Sequence, residues 1–313
     1  MARLHASPSN WIFAKAERIA APSPGVLVVR LTVPWRRFPY ALTTVAAAPR
    51  GVAGPFRLVH GSRDRVELRR GGMTLVFRRL GRTGVLRDLR RGALDEAPVP
   101  LGDVGLFRAD PATLHVRPLL AIDLMTFRRG AVTRQVRRAY WQTADRSDYE
   151  ALVAEDGATA TSGLVGQAVK SDPAGYRGAV RSIPSLPHVA VRITVPPDPT
   201  LQYGVRILYA QWRAVELGPQ LVPTGGPADA DFRRVAADYP QDEALLGALG
   251  LPAALGHEDQ RAAFDRLDAR LRSSARVVPI CWVADARWVS TRLRGWSQDV
   301  LGDVDYTAVS VRP

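Results

Sequence analysis

The chain has 313 residues, 46% hydrophobic and 23% charged, a balance that fits a folded globular protein and excludes a disordered or low-complexity one. Its formal charge of +13 leaves an anionic partner open, although all but Lys15 and Lys170 of the 43 basic residues are arginines, spread from Arg3 to Arg312. A single cysteine, Cys281, excludes an intrachain disulfide and a cysteine-based metal site, and no apolar run approaches the roughly 18 residues of a membrane span.

Met1 to Pro8 is too polar for an export signal, so the chain as written reads as cytoplasmic. Trp11-Ile12-Phe13 reads as a helical or irregular lead-in. Val26 to Val33 reads as a strand that Pro34 ends. Residues 55–60, 65–70 and 73–78 form an expected antiparallel meander, broken at Gly61-Ser62 and Gly71-Gly72. A short helix over 82–91 is closed by Gly92. Residues 113–128 carry one or two strands. Val136, Ala139, Tyr140, Thr143 and Ala144 then recur at helical spacing on one face. After a break at Asp145-Arg146, Ser147-Asp148-Tyr149-Glu150 has the form of a capping box, so a second helix follows at once. Proline, glycine and serine between 157 and 187 suggest a long surface connection. Val189 to Val195 alternates like a half-buried strand. Asp198 and Thr200 offer caps for a helix whose stripe is Leu201, Val205, Leu208, Trp212 and Val215, with Gly218 as its stop. Asp259 to Ser273 reads as an amphipathic helix with Phe264, Leu267 and Leu271 inward. Cys281 lies in the apolar run Val277 to Val283 and reads as a buried, inert thiol. Strands and helices alternate without a strict βαβ rhythm, which predicts an α/β fold with mixed sheets.

Motifs for catalysis are absent from the sequence. There is no phosphate-cradling glycine loop and no Gly-x-Ser-x-Gly elbow. The five histidines are isolated from one another and from carboxylates at ligand spacing. The helix–break–helix near 136–154 could be a DNA-binding pair, but its second helix carries Asp148, Glu150, Glu155 and Asp156. Phosphates would repel it, so nucleic acid is not expected as a partner. The densest arginine clusters, Arg63 to Arg91 and Arg128 to Arg138, read first as solvated or ion-paired surface, and second as a face for an anionic partner such as a membrane surface.

Val136-Arg137-Arg138-Ala139-Tyr140-Trp141-Gln142-Thr143-Ala144-Asp145-Arg146 resembles the signature of the extracellular solute-binding proteins of family 5, the oligopeptide, dipeptide and nickel binders of ABC importers. Further segments follow in the family's order: Pro34-Trp35 with Phe38 to Leu42, Gly54-Pro55-Phe56, Gly92-Ala93-Leu94-Asp95, Gln211-Trp212 with Leu217-Gly218, Ala237-Asp238-Tyr239, and Ser273 to Tyr306. The resemblance implies a periplasmic-binding-protein-like, two-lobe α/β fold of the type II, Venus-flytrap kind, with mixed sheets. Residues 1–125 would form part of the first lobe, 126–272 the second, and 273–313 the return to the first. The family opens with a further strand pair that this chain lacks, so the first lobe is expected to be incomplete.

Function follows from the same resemblance. It implies a monomeric binding protein rather than an enzyme, with no cofactor. A peptide or other small solute would sit in an interlobe cleft, an ABC permease would be the partner, and the location would be extracytoplasmic. Asp238 would supply the carboxylate for the ligand's α-amine and Tyr239 would line the cleft, although Asp238-Tyr239-Pro240 also reads as an ordinary turn. Phe127-Arg128 stands where the family carries Phe-Asn at the hinge crossing, so the crossing is carried over but not the asparagine's role. A cytoplasmic ligand-sensing or interaction module, and a degenerate remnant of a binding protein, are the alternatives.

Overall fold

The computed structural model describes residues 12–13, 15–35, 38–43, 55–107, 113–153, 159–160, 189–237, 244–245, 248–249 and 261–312. It divides into two compact units. Unit 1 comprises Met1–Thr44 and Pro118–Ala284, and unit 2 comprises Val45–Arg117 and Asp285–Pro313. The divisions fall at 44/45, 117/118 and 284/285.

A seven-stranded mixed sheet runs in the order β10-β9-β11-β7-β12-β6, with β8 (Thr159–Ala160) also paired to β12. Its central strands are β7 (Leu114–Phe127), β11 (Ala230–Ala236) and β12 (Val277–Val289). Ala121, Ile122, Leu124 and Met125 of β7 are all buried although successive residues point to opposite faces, so both faces of the sheet are covered there. Val277 to Ala284 of β12 are buried in the same way, Cys281 among them. β11 pairs antiparallel with β7, from Ala230 opposite Phe127 to Ala236 opposite Ala121. β9 (Ala190–Thr194) is parallel to both β11 and β10 (Gly218–Val222).

Helix α5 (Pro199–Ala214) crosses from β9 to β10. Asp198 caps it, its side chain accepting from the Leu201 amide at 2.9 Å. The expected stripe is buried: Leu201, Val205, Leu208, Trp212 and Val215. Gly218 is not the helix stop. The chain turns at Glu216, at φ +61, and Gly218 already belongs to β10, where an added Cβ would lie 3.2–3.3 Å from the backbone of Val189 and Ala190. Close approach of two parallel strands, not helix termination, fixes that glycine.

Helices α3 (Arg134–Gln142) and α4 (Arg146–Val153) form the expected helix–break–helix. The Thr133 side chain caps α3 by accepting from the Val136 amide. α4 begins at Arg146, two residues earlier than a helix capped by Ser147 would, because Asp145 Oδ1 accepts from the amides of Ser147 and Asp148 at 3.0 and 3.2 Å. Helix α6 (Arg261–Ser274) overlaps the helix expected over Asp259 to Ser273, whose first two residues lie outside the described residues, as do the side chains of Phe264 and Leu267; Leu271 is half-buried. The surface connection expected over 157–187 lies outside the described residues except for β8.

Several elements of unit 1 were not foreseen, β10 and β11 among them, nor was its N-terminal hairpin. β1 (Ala16–Ser23) pairs antiparallel with β2 (Val26–Leu31) through a turn at Pro24-Gly25, with Gly25 at φ +79. In unit 2 the meander is present as β3 (Arg57–Gly61), β4 (Arg65–Arg70) and β5 (Met73–Arg78). It is followed by α1's successor α2 (Arg82–Arg90), which ends before Gly92 at φ +63; α1 itself is the short helix Phe38–Thr43 of unit 1. β6 (Glu96–Val99) pairs with Ala286 to Val289 of β12, and the C-terminal segment adds the short pair β13 (Leu293–Arg294) and β14 (Ser310–Val311).

Candidate ligand-binding site

Among the described residues of unit 1, Asp123 of β7 is an ionic group fully shielded from solvent. Arg234 on neighbouring β11 holds it with two hydrogen bonds, Nε at 2.8 Å and Nη2 at 3.1 Å, and the Tyr149 hydroxyl of α4 donates to it at 2.8 Å. Three donors satisfy the carboxylate, which is what a buried charge requires. Burial, and then the Asp123 charge, push the Tyr149 hydroxyl well above the ordinary tyrosine range. Burial alone would pull Arg234 down, but Asp123 outweighs it and the net shift is upward. The triad binds α4 to the sheet.

Arg146 is a second buried charge, with a different solution. Its guanidinium donates to the carbonyls of Pro279 at 2.8 Å and of Ala144 and Trp141 at 3.1 Å, and lies 4.7 Å from the Trp141 ring centroid. Burial lowers its pKa to about 10. The last arginine of the signature stretch therefore ties the end of α3 to β12, a structural function that only a planar fork of donors performs.

At the far end of β7, Phe127 is buried and its amide donates to the Arg276 carbonyl at 2.8 Å. Arg128 forms a two-point ion pair with Asp231, at 2.8 and 3.1 Å, and its amide donates to the Asp229 carbonyl. Arg192 holds Asp229 in the same two-point manner. Hydrogen bonds from Arg192 and Arg128 keep the Asp229 and Asp231 carboxyls below the usual range. Phe127 and Arg128 stand nine and ten positions beyond Pro118, where the chain enters unit 1.

Asp238 and Tyr239 lie outside the described residues, but the chain can be followed to their threshold. The Ala237 amide donates to the Leu120 carbonyl at 2.8 Å, so β11 gives out beside Leu120. Phe127 is seven residues along β7 from that point, about 23 Å at ~3.3 Å per residue. The last described residue after β11 and the Phe127-Arg128 pair thus stand at opposite ends of the paired stretch of β7.

Unit 2 contains a recess of about 560 Å³ along the free edge of β5, with Met73, Leu75, Phe77, Val85 and Val309 in its wall. Its polar floor is already paired. Glu96 accepts from Arg287, from Trp296 Nε1 at 3.0 Å and from the Tyr306 hydroxyl at 2.8 Å, while Arg287 also donates to Asp285 at 2.7 Å. The adjacent carboxylates Asp95 and Glu96 are thus structural, Asp95 pairing with Arg292. Among the described residues no group of three or more His, Cys, Asp or Glu is arranged to hold a metal ion, and no helix is long and apolar enough to cross a membrane.

No family model and no curated protein matches the sequence. Solved structures do match in fold. Haemophilus influenzae OppA, in complex with RPPGFSPFR, aligns over 98% of this chain and 80% of its own at a TM-score of 0.78 and 15% identity. The Escherichia coli murein tripeptide binding protein MppA aligns over the same shares at 0.80 and 12%. NikZ from Campylobacter jejuni, in complex with Ni(L-His), aligns over 94% of this chain and 78% of its own at 0.67 and 14%. The resemblance read from residues 136–146 is met by the architecture: the structural neighbours are solute-binding proteins of family 5, and this chain has the periplasmic-binding-protein-like α/β fold, with mixed sheets, of those two-lobe proteins.

Proposed function

We propose that the chain is a solute-binding protein rather than an enzyme, that its ligand is a peptide or similarly small solute, and that it serves an ABC permease outside the cytoplasm. The observation that carries this reading is the alignment of nearly the whole chain with proteins solved with, or named for, peptides. In this proposal the loop after β11 is the ligand-recognition element. Asp238 pairs with the ligand's α-amine, and Tyr239 packs beside it. An ammonium taken out of water needs an opposite charge at hydrogen-bond distance, and a carboxylate supplies it. The satisfied triad of Asp123, Arg234 and Tyr149 supports the reading indirectly, since it holds the strand that delivers this loop.

Calorimetric titration with defined di- to pentapeptides tests it. A free-amine peptide binds the wild-type chain. Asp238→Ala weakens that binding by about 2–5 kcal/mol, the loss expected when one partner of a buried charge pair is removed. N-acetylation of the peptide produces a similar loss, and combining the two adds little. Equal affinity for free and acetylated peptides refutes the role of Asp238. Absence of heat and of thermal stabilisation with every peptide refutes the peptide ligand itself.

A further inference from the structure

The strand register of unit 2 sorts its meander into two chemically opposite faces. Leu58, Leu68 and Leu75 are in register, as are Val66 and Phe77. The other face pairs Arg57 with Arg69, Arg65 with Arg78, and His60 with Glu67. Four arginines therefore share one side of a three-stranded sheet with a single carboxylate, Glu67, which Arg65 and Arg69 contact at 3.1 and 3.5 Å.

This face continues onto α2. Asp88 is buried between Arg78 of β5, at 2.8 Å, and Arg87 of α2, at 2.9 Å. Beyond it Arg90 and Arg91 are exposed at the helix end, with Arg82, paired to Asp103, at its start. Among the described residues Arg57, Arg90 and Arg91 have no acidic partner. The excess of positive charge is thus left on an open surface.

We infer that this arginine face of unit 2 docks on an anionic lipid bilayer. Its charge complements a plane of phosphate headgroups, and guanidinium groups bind phosphate through two donors at once. The surface is a sheet, not a protruding helix or ribbon able to enter a DNA groove. No Phe, Tyr or Trp lies on that face of the meander to stack on bases; the exposed apolar residue there is Val76, which suits a lipid surface instead. This inference stands apart from the ligand proposed above, because it uses none of the same residues.

Cosedimentation with phosphatidylglycerol–phosphatidylcholine vesicles, against pure phosphatidylcholine, tests it. The full chain binds the anionic vesicles and releases them as salt rises from about 0.1 M to 1 M, where screening shortens to roughly 3 Å. Replacing Arg57, Arg90 and Arg91 together by Gln lowers the partition coefficient about a hundredfold, at roughly fivefold per arginine. Replacing Arg206, Arg213 and Arg233 of unit 1 by Gln removes the same charge and leaves partition nearly unchanged. Equal loss in both triple variants overturns the inference, since net charge alone would then act. So does equal binding to neutral vesicles, or binding of duplex DNA without binding of vesicles.

Discussion

Gly204 lies on the buried side of α5, against the ring of Tyr149 in α4. A Cβ built there would sit 2.5 Å from Tyr149 Cε2 and from its hydroxyl oxygen, and 2.7 Å from Cζ. Ordinary contacts begin near 3.5 Å, so the ring or the helix must move by about an ångström. Tyr149 has nowhere to go: it is fully buried and its hydroxyl is bonded to Asp123, which Arg234 holds from the other side. Overpacking of this kind costs about 1–3 kcal/mol, and breaking the Tyr149–Asp123 bond to escape it adds about 1–3 more. Alanine returns about 1 kcal/mol of helix propensity. Gly204→Ala should therefore destabilise unit 1 by about 1–5 kcal/mol, read as a lower urea midpoint with an unchanged slope. Adding Tyr149→Leu to Gly204→Ala should cost clearly less than the sum of the two single changes, because the leucine vacates the contested space. A Gly204→Ala protein as stable as wild type, or strict additivity of the pair, would refute the placement of α4 against α5.

Arg146→Met should destabilise the fold by about 3 kcal/mol, since three carbonyls lose their donor, and Arg146→Lys should restore little because one ammonium cannot span them; chemical denaturation of both variants checks this. The two buried tyrosines should part company in the same assay. Tyr140→Phe should be neutral or slightly stabilising, because its buried hydroxyl has no hydrogen-bond partner among the described residues, whereas Tyr149→Phe should cost about 1–3 kcal/mol through Asp123. Burial raises the pKa of Tyr140 and Tyr149, so their stability contribution is intact below the unfolded value near 10 and is lost as pH rises toward the folded one. Arg146, depressed by burial, acts in the opposite sense above about 10 but is one group against two. An alkaline titration followed by tyrosine absorbance should accordingly show these two hydroxyls ionising together with unfolding, not before it.

Much of the local structure was legible because local and tertiary forces agree in it. The α5 stripe from Leu201 to Val215 is buried residue for residue, and Asp198 caps the helix as its position suggests. Asp145-Arg146 marked a break, and both residues build it: one caps α4 and the other pins α3 to β12. β1 escaped notice for a physical reason. Its hairpin is exposed on both faces, with Val26, Leu27 and Val28 of β2 each 47–60% accessible, so no alternation of apolar and polar residues records it. Only Pro24-Gly25 signalled the turn. Gly218 misled because two different needs select glycine, an αL helix end and a close backbone approach, and Glu216 met the first without it.

β7 passes from unit 2 to unit 1 at Pro118. The family resemblance puts a hinge crossing at Phe127-Arg128, and there Arg128 pairs with Asp231 at the far end of the strand. Proline cannot donate to a sheet ladder, so within a long strand it belongs where pairing changes hands. Pro118 occupies that place: it is the first residue of unit 1 in β7, just ahead of the stretch from Ala121 to Phe127 that pairs with β11. The exit of β11 beside Leu120 is two residues away. β11 thus ends beside the point where β7 enters unit 1, and under the proposed function a substitution that stiffens or frees that end, such as Pro118→Ala, bears on Asp238 and Tyr239 more directly than a change at Arg128.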